Sequence, residues 1–297
     1  PLDVDANDYS GNNYNATLLN SPSFNPGVKD KGVQIYGTNE FPNGGGSCII
    51  LPPSLNTVLN SLNQFTISLW VNEQSMISYG GEGYFFIGNH NTGWLGISHF
   101  YDPSSNSQKL NFSVGANGFY NPSPILLPFN DSLRNKFVHY LITYNNGVLK
   151  SYMNANLVGQ LNQSIVLQSN NGGLGRHWWG DNNDYSTVLR GLIDEVKIYD
   201  RSLTQTEITQ LYDLDKPNLN TGLVAFYPFN GNANDESGNN NNGTIEGATL
   251  TTDRFSNENK AFNFNGVNNR VIIPFNSNLY NPEISISTWV KFNELNG

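Results

Sequence analysis

The chain has 297 residues, of which 37% are hydrophobic, 12% aromatic and only 13% charged. This composition supplies enough apolar material for a large core and excludes a disordered polar tract, and the length lies between one and two domains. The net charge of −9, without a basic stripe, argues against a nucleic-acid partner. Since no run of eighteen apolar residues occurs, we expect no membrane insertion.

The first element is a polar stretch, ANDYSGNNYNAT, at residues 6–17, which recurs as ANDESGNNNNGT at residues 233–244. Further pairs follow in the same order: KGVQIYG with KAFNFNG, CIILP with RVIIP, and FTISLWV with ISISTWV. This order predicts a duplication. We therefore expect a domain over residues 1–213 that lacks its first strand, a linker over 214–221, and the N-terminal third of a second domain over 222–297.

Strand patterns dominate the remainder of the first copy. Residues 65–71 alternate with period two, which predicts a strand with one apolar face. Residues 139–144 and 148–153 flank Asn145-Asn146-Gly147, and this turn sequence predicts a hairpin. Residues 192–199 form another predicted strand. Many short strands separated by turns indicate an all-β sandwich or barrel.

One helix is predicted near the end of the first copy. Thr204 and Glu207 have the spacing of a capping box, in which each residue bonds the backbone N–H of the other. Ile208, Leu211 and Tyr212 follow at helical spacing. We expect a short helix there, ending before the linker that contains Pro217.

Three stretches together resemble the laminin G-like, concanavalin A-like jelly-roll domains of bacterial secreted proteins. They are GLVAFYPFNGNANDESGNNNNGT, FVHYLITYNNGVLKSYMNANLVG and LRGLIDEVKIYDRSLTQTEITQLY. The resemblance covers residues 1–213 and 222–297. It implies an antiparallel β-sandwich jelly roll with one short C-terminal helix per domain. It does not define a ligand, because the fold hosts lectins, carbohydrate-binding modules, adhesion modules, toxin domains and some hydrolases.

Asp194 is the first candidate metal ligand. In the strand 192–198, period two places it on the same side as Leu192, Val196 and Ile198, which has the character of a core face. A carboxylate there is costly unless it is paired or bound to a cation. The repeated stretch supplies a second carboxylate, Asp8, on a turn rich in the oxygen ligands that calcium prefers.

The resemblance implies a structural calcium between this turn and the closing strand. Asp8 and Asp194 would be its side-chain ligands, Asn13 or a neighbour would give a carbonyl, and Asp235 would serve the second copy. Two alternatives remain open. The stretch around Asp8 forms only an Asx-type turn, or Asp194 accepts backbone N–H groups from that turn.

No catalytic pattern is found. The Glu-x-Asp-x-Glu motif of jelly-roll glucanases is missing, and three isolated glutamates, Glu40, Glu73 and Glu82, are interpreted as surface residues. His90 and His99 could approach in a hairpin, but a hydrolase would also need a partner carboxylate or nucleophile. The sequence therefore predicts a protein that is not an enzyme.

Aromatic residues in loop-like sequence are the candidates for stacking on sugar rings, with polar neighbours for the hydroxyls. The candidate ligand-binding residues are Trp94, Tyr120, Arg176, His177, Trp178 and Trp179. Adjacent Trp178 and Trp179 would face opposite ways in a strand, so at least one is expected to leave the core. The alternative for each aromatic is ordinary packing beneath long loops.

Together these features predict a non-catalytic, lectin-like carbohydrate-binding module with a structural calcium, within a secreted or cell-surface multidomain bacterial protein. Its partner would be a polysaccharide or a cell-surface glycan. One alternative is an adhesive or structural spacer repeat that binds surface proteins. The other is an accessory module of a polysaccharide-degrading enzyme.

Overall fold

The computed structural model describes the greater part of the chain. The described residues are 2–36, 46–75, 81–89, 93–116, 119–120, 125–167, 172–177, 187–216, 219–220, 222–279 and 284–292. The chain divides into two compact units, Pro1–Pro217 and Asn218–Gly297. Within the described ranges, no helix is both long and apolar enough to cross a membrane.

The first unit is built mainly from short strands. They are β1 (Thr17–Leu19), β2 (Ser23–Pro26), β3 (Lys31–Ile35), β4 (Cys48–Ile50), β5 (Gln64–Glu73), β6 (Gly81–Asn89), β7 (Gly93–Asp102), β8 (Ser107–Ala116), β9 (Phe119–Tyr120), β10 (Ile125–Pro128), β11 (Val138–Asn145), β12 (Val148–Met153), β13 (Asn156–Asn162), β14 (Gly172–Leu174), β15 (Arg176–His177), β16 (Thr187–Val188) and β17 (Gly191–Tyr199). The helices are α1 (Pro53–Ser61), α2 (Gln205–Asp215) and a 3-10 turn, Asp131–Leu133.

Two sheets form the sandwich. The first has the order β1-β4-β14-β6-β7-β8-β10, with β9 beside β8 and with β15 and β16 joined near β6. The second has the order β13-β12-β11-β5-β17-β3-β2. All pairings within both sheets are antiparallel except the short contact between β16 and β6. The prediction of an all-β, concanavalin A-like jelly roll is confirmed.

The main core lies between the sheets. Strand β5 contributes the alternating residues Phe65, Ile67, Leu69 and Val71 to this core, as period two predicts. Facing strands contribute buried residues such as Phe85. Each large apolar side chain removed from water contributes roughly 1.5–3 kcal/mol, so this layer is the main source of the sandwich's stability.

The predicted hairpin is confirmed. Strands β11 and β12 pair antiparallel, with Asn145 opposite Val148. Between them Asn146 and Gly147 have φ values of 47° and 87°. Both φ values are positive, as in a type I′ turn, whose twist matches that of the flanking strands. Asn and Gly are the residues that adopt this turn most readily.

Helix α2 is also confirmed, with its capping box. Thr204 Oγ1 accepts a hydrogen bond from the Glu207 backbone N–H, and Glu207 Oε2 accepts one from the Thr204 backbone N–H. Ile208 and Leu211 pack against Leu141 in a second apolar cluster. Helix α1 was not predicted from the sequence; it begins after Pro52 and buries two leucines, Leu55 and Leu59.

Strand β17 contains a β-bulge that strict alternation does not anticipate. Its register with β5 shifts between Asp194 and Lys197, and Glu195 has a φ of 46°. Ile193 before the bulge and Val196 after it both pack on the main core. Because the bulge inserts one residue, Asp194 and Val196 do not share a face, contrary to the prediction from period two.

The second unit is described by four short strands, β18 (Thr244–Glu246), β19 (Thr249–Thr251), β20 (Ala261–Asn263) and β21 (Arg270–Ile272), and a 3-10 turn, Ser277–Leu279. Strand β18 pairs with β21, and β19 with β20. The ISISTWV stretch is not in a strand, and Trp289 is 77% exposed. The repeat pairs Trp289 with Trp70 of the first copy, but in the described part of this unit no neighbouring strand covers Trp289.

Candidate functional site

The turn at Asp8 is held by the Asp8 carboxylate. Its two oxygens accept hydrogen bonds from the backbone N–H groups of Ser10 at 2.8 Å and Tyr14 at 2.9 Å. Asn13 has a φ of 61°, and its neighbour Asn15 accepts the N–H of Asp8 through Oδ1 at 2.8 Å. Partial burial raises the pKa of Asp8, but the hydrogen bonds from Ser10 and Tyr14 outweigh it and leave the pKa below its ordinary value.

The turn at Asp235 has the same construction. The carboxylate accepts the backbone N–H groups of Ser237 and Asn241, both at 2.9 Å, and Asn242 Oδ1 accepts the N–H of Asp235 at 2.9 Å. The Asp235 carboxylate also accepts the backbone N–H of Phe226 at 2.9 Å. Desolvation raises the pKa of Asp235, yet these donors together lower it to about 2.

Asp194 is fully buried and is bound to a different turn. Its Oδ2 accepts the backbone N–H groups of Val28 at 2.9 Å and Lys29 at 3.1 Å, and its Oδ1 accepts that of Glu195 at 2.7 Å. Burial raises the pKa of Asp194 to about 6, although these N–H groups act in the opposite direction. Backbone donors therefore satisfy this carboxylate without a cation.

These contacts bear on the calcium expected from the resemblance. Asp8 and Asp194 each accept hydrogen bonds from the backbone of a separate turn. Among the described residues, no group of three or more His, Cys, Asp and Glu side chains is placed to hold a metal. The shared calcium stays a prediction.

The predicted aromatic site is only partly described. Trp94 is fully buried, with its ring stacked on Phe86 at 5.7 Å between centroids. The backbone at Gly115 lies so close to the indole that an added Cβ would come within 2.0 Å of Nε1. Trp94 is therefore not an exposed platform in this structure, and the glycine lets its ring lie flat on the sheet.

Arg176 is buried beside Cys48. Burial raises the pKa of the Cys48 thiol, and the charge and hydrogen bond of Arg176 act in the opposite direction. Tyr120 lies in β9 and His177 in β15, and their side chains are outside the described set. Trp178 and Trp179 fall wholly outside the described residues. The predicted cluster of ligand-binding residues thus remains untested by the geometry.

Two glutamates interpreted as surface residues are buried, and for these the sequence analysis is wrong. Glu73 Oε2 accepts hydrogen bonds from the Tyr84 hydroxyl at 2.5 Å and lies 2.8 Å from His99 Nδ1. Its Oε1 lies 3.3 Å from Arg134 Nε. The sequence contains a signal for the burial of Glu73. Glu73 is two residues after Val71 and continues the alternation of residues that face the core.

Glu82 lies on β6 of the other sheet, in the register position opposite His99 on β7. Burial, reinforced by the charge of Glu73, raises the pKa of Glu82 to about 9. Near neutral pH, Glu82 is therefore uncharged beside an ion-paired Glu73. Catalytic acid–base pairs also combine one protonated and one ionised carboxyl group. Here both side chains are buried, so the pair has no contact with a substrate in this geometry.

An open polar cleft lies where β3 and β5 end and β17 begins. It has a volume of about 310 Å³ and is lined by Asn25, Gln34, Ile35, Tyr36, Gln74, Ser75 and Arg190. Tyr36 is 49% exposed, and its hydroxyl is 2.5 Å from Ser23 Oγ. The backbone N–H of Tyr36 donates to Ser47 Oγ at 2.9 Å, which fixes the backbone from which the aromatic side chain extends.

A chain of amides forms the wall of this cleft. Asn25 Nδ2 donates to Gln34 Oε1 at 3.3 Å, and Gln34 Nε2 donates to Gln74 Oε1 at 3.1 Å and to the Gly191 carbonyl at 3.1 Å. The Gln74 backbone N–H donates to the Arg190 carbonyl at 2.8 Å. The cleft therefore presents an aromatic ring, hydroxyls and pre-positioned planar amides. Sequence analysis missed it because these residues are far apart along the chain.

Comparison with known families decides the classification. The family described as the concanavalin A-like lectin/glucanases superfamily matches residues 43–209. The chain belongs to this superfamily. Its jelly-roll fold agrees with that assignment, since the matched range contains the central strands of both sheets. None of the curated proteins compared with the chain matches it significantly.

Several solved structures share the fold of this superfamily member. Domain 4 of an extracellular arabinanase from Geobacillus stearothermophilus, in complex with arabinotriose, is 22% identical with a TM-score of 0.50 over 70% of this chain and 93% of that domain. Botulinum neurotoxin type C, in a structure concerned with two ganglioside molecules, is 18% identical with a TM-score of 0.54 over 82% of this chain and 61% of the toxin chain.

A third structure is the binding domain of botulinum neurotoxin DC in complex with rat synaptotagmin II. It is 15% identical, with a TM-score of 0.52 over 83% of this chain and 57% of that chain. The superfamily member thus spans nearly all of the arabinanase domain but less than two thirds of either toxin chain. At these identities the likeness establishes the fold alone.

Proposed function

We propose that the first unit is a non-catalytic carbohydrate-binding module, of lectin type, in a secreted or cell-surface multidomain bacterial protein. The cleft at Tyr36 carries this proposal. An exposed aromatic face beside ordered amides is suited to a sugar, because the ring packs on the apolar face and the amides bond the hydroxyls. The partner would be a polysaccharide or a cell-surface glycan.

The saccharides named with two of the similar structures support this choice. One is an arabinanase domain with arabinotriose, and another concerns gangliosides. The arabinanase example also keeps open a role as the accessory module of a polysaccharide-degrading enzyme. A hydrolytic role for this unit has less support, since Glu73 and Glu82 are sealed from solvent.

An adhesive or structural spacer is the second candidate. It is favoured by the turn at Asp8, which recurs with the same hydrogen bonds at Asp235 in the other unit. In that case the partner would be a surface protein; one similar binding domain is in complex with a protein, rat synaptotagmin II. A spacer would not require the amide wall of the cleft.

The test is a glycan array with the full chain, followed by titration of any glycan retained. We expect Tyr36→Ala to weaken glycan binding roughly tenfold, the equivalent of about 1.4 kcal/mol. Tyr9→Ala removes a comparably exposed tyrosine from the turn at Asp8 and is the matched control. If no glycan is retained, or if Tyr36→Ala binds as tightly as the unmodified chain, the lectin proposal fails.

A structural calcium belongs to this proposal as a separate expectation. Each oxygen of the Asp8 carboxylate accepts one backbone N–H group and keeps a second lone pair that could bind the ion. A melting temperature that falls in EDTA and recovers with Ca²⁺ would support the ion. An unchanged melting temperature, with no metal found by elemental analysis, would reject it.

A further inference from the structure

The turn at Asp235 binds the main chain of a short segment in its own unit. Asp235 Oδ1 accepts the backbone N–H of Phe226 at 2.9 Å. In the opposite direction, Asn239 Nδ2 donates to the backbone carbonyls of Leu223 at 2.9 Å and Val224 at 3.1 Å. These bonds use only main-chain groups of the segment, and bonds of this kind give affinity for a peptide with little dependence on its side chains.

Further donors of the same turn complete this contact. Ser237 Oγ donates to the Val224 carbonyl at 3.2 Å, and Asn241 Nδ2 donates to the same carbonyl at 2.9 Å. The backbone N–H of Glu236 donates to the Phe226 carbonyl at 2.8 Å. The segment is therefore held through both its carbonyl and its N–H groups, which fixes the direction in which the peptide chain runs.

The turn at Asp8 has most of the same groups. The carboxylate, the hydroxyl and the amide belong to Asp8, Ser10 and Asn12 in the first unit and to Asp235, Ser237 and Asn239 in the second. Asn12 Nδ2 donates to Ser10 Oγ at 2.9 Å, and the equivalent bond of the second unit is 3.1 Å. The amide of Asn241 is the donor that differs, because Tyr14 lies at the equivalent position.

In the first unit these groups face solvent. Ser10 and Asn12 are exposed and Asp8 is half-buried, whereas Asp235 is only 9% exposed. Among the hydrogen bonds of the described residues, Asp8 Oδ1 accepts only the Ser10 N–H, and Asn12 Nδ2 donates only to Ser10 Oγ. A lone pair of the carboxylate oxygen and a hydrogen of the amide are thus available to a ligand.

The second unit also indicates the chemistry of the ligand. The bound segment, Leu-Val-Ala-Phe at residues 223–226, is uncharged and presents two successive carbonyls and then an N–H. A proline at the position of Phe226 would be excluded, because it lacks the N–H that the carboxylate accepts. Acidic residues in the ligand would be repelled by Asp8 and by the net charge of −9 on the chain.

We propose that the turn formed by Asp8, Ser10 and Asn12 docks an uncharged peptide segment of a separate polypeptide through that segment's main chain. Asn12 and Ser10 donate to its carbonyls, and Asp8 accepts its N–H. A second copy of this chain is the weaker occupant, because its own segment already binds the turn at Asp235, which has the additional donor Asn241 Nδ2. The proposal uses none of the residues that line the cleft at Tyr36, so it goes beyond sugar binding.

The experiment is a fluorescence anisotropy titration of a labelled peptide with the full chain. The probe is Gly-Leu-Val-Ala-Phe-Tyr, the sequence of residues 222–227, with fluorescein at its N-terminus. The control peptide is N-methylated at the phenylalanine amide. We expect saturable binding of the probe and at least roughly tenfold weaker binding of the control, because N-methylation removes a hydrogen bond to a charged group. EDTA in the buffer prevents a divalent cation from competing for Asp8.

Two matched variants assign the binding to one turn. Asn12→Ala removes the donor to the carbonyls and is expected to weaken the probe roughly fivefold. This variant should keep its fold, since the Asn12 side chain is exposed and bonds only Ser10. Asn239→Ala makes the same change in the second unit and should bind the probe at least as tightly as the unmodified chain does.

Three results would overturn the proposal. They are no saturable binding, equal binding of the probe and the N-methylated peptide, and a loss of affinity in Asn239→Ala instead of Asn12→Ala. Sedimentation velocity tests the other occupant. A chain that self-associates, and no longer does so as Asn12→Ala, would assign the turn to a second copy and overturn the choice of a separate polypeptide.

Discussion

The two copies of the repeated stretch share their turns and differ in their strands. Asp8 and Asp235 each accept two backbone N–H groups from equivalent positions, at distances that differ by no more than 0.1 Å. The first strands also pair alike, because Thr17 lies opposite Ile50 in β1–β4 and Thr244 opposite Ile272 in β18–β21. Up to this point the two regions are built in the same way.

They diverge at the tryptophan. In the first unit, the FTISLWV stretch is the central strand β5, paired on both sides, and Trp70 is 2% exposed and stacked on Tyr212 at 5.3 Å. In the second unit, ISISTWV forms no strand, and the exposed Trp289 ring meets the Arg254 guanidinium at 4.1 Å. The difference teaches that the turn is encoded locally, whereas the strand requires partners from distant sequence.

The largest test of this comparison removes the two tryptophans separately. Trp70→Ala should lower the free energy of unfolding of the first unit by about 3–5 kcal/mol, because it empties a packed site. Trp289→Ala should change stability by less than about 0.5 kcal/mol, as for other exposed positions. Urea denaturation followed by circular dichroism measures both in the full chain. Equal effects would contradict the assignment of Trp289 as unpacked.

The second test compares a buried acid with an exposed one. The folded-state pKa of Glu82, about 9, lies above its ordinary value of 4.5, so folding favours the protonated form. The stability that the protonated Glu82 contributes is fully present below about pH 4.5 and declines as the pH rises toward 9. Glu82→Gln should therefore raise stability relative to the unmodified chain at pH 8 more than at pH 5.

We expect this gain to be at least about 1.4 kcal/mol, the equivalent of one pKa unit. Glu258→Gln changes an exposed acid of the second unit and provides the control. Melting temperatures across this pH range measure the effect. A Glu82→Gln variant whose stability parallels that of the unmodified chain at both pH values would show that Glu82 is ionised in the fold.

The third test examines the shared turn. Asp8→Ala and Asp235→Ala should each cost about 1–2 kcal/mol locally, because they remove the acceptor for two and for three backbone N–H groups, respectively. Since the pKa of Asp235 is lowered to about 2, its contribution is fully present above about pH 4 and is lost as the pH falls toward 2. Amide hydrogen exchange at Tyr14 and Asn241 measures it. Protection that survives in one variant only would break the equivalence of the turns.

The smallest effect concerns the residues with positive φ in these turns. Asn13 and Asn240 have φ values of 61° and 58°, a region in which glycine is unstrained and β-branched residues are disfavoured. Replacing either by glycine should change stability by less than about 0.5 kcal/mol, whereas valine should cost about 1 kcal/mol or more. Thermal melts of the four variants provide the measurement. Valine tolerated at one position alone would show different backbone conformations.

Features that depend on a few adjacent residues were predictable. The hairpin at Asn146 and Gly147 and the capping box at Thr204 follow from side chains that bond or bend the backbone within four residues. Features that depend on an inserted residue or on facing elements were not. The bulge at Glu195 reverses the alternation from which the position of Asp194 was inferred, and no turn residue marks it.

The same limit applies to the candidate site. Trp94 is surrounded by loop-like sequence, which predicts an exposed ring, yet the sheet buries it. Tyr36 and Gln74 are unremarkable in sequence and become neighbours in a cleft only because β3 and β5 end at the same edge. Position along the chain does not reveal which polar residues share a concavity, since that depends on the order of strands in the sheet.

The sequence by itself determined the all-β class, the turns at Asp8 and Asp235, the hairpin and helix α2, because each follows from local hydrogen bonding or from the period of apolar residues. Only the tertiary structure decided that Glu73 and Glu82 are buried together, that Asp194 bonds the turn at Val28, and that a polar cleft forms beside Arg190. These arrangements join residues from separate strands, and the energy of a buried charge or a shared cleft depends on neighbours that local sequence does not specify.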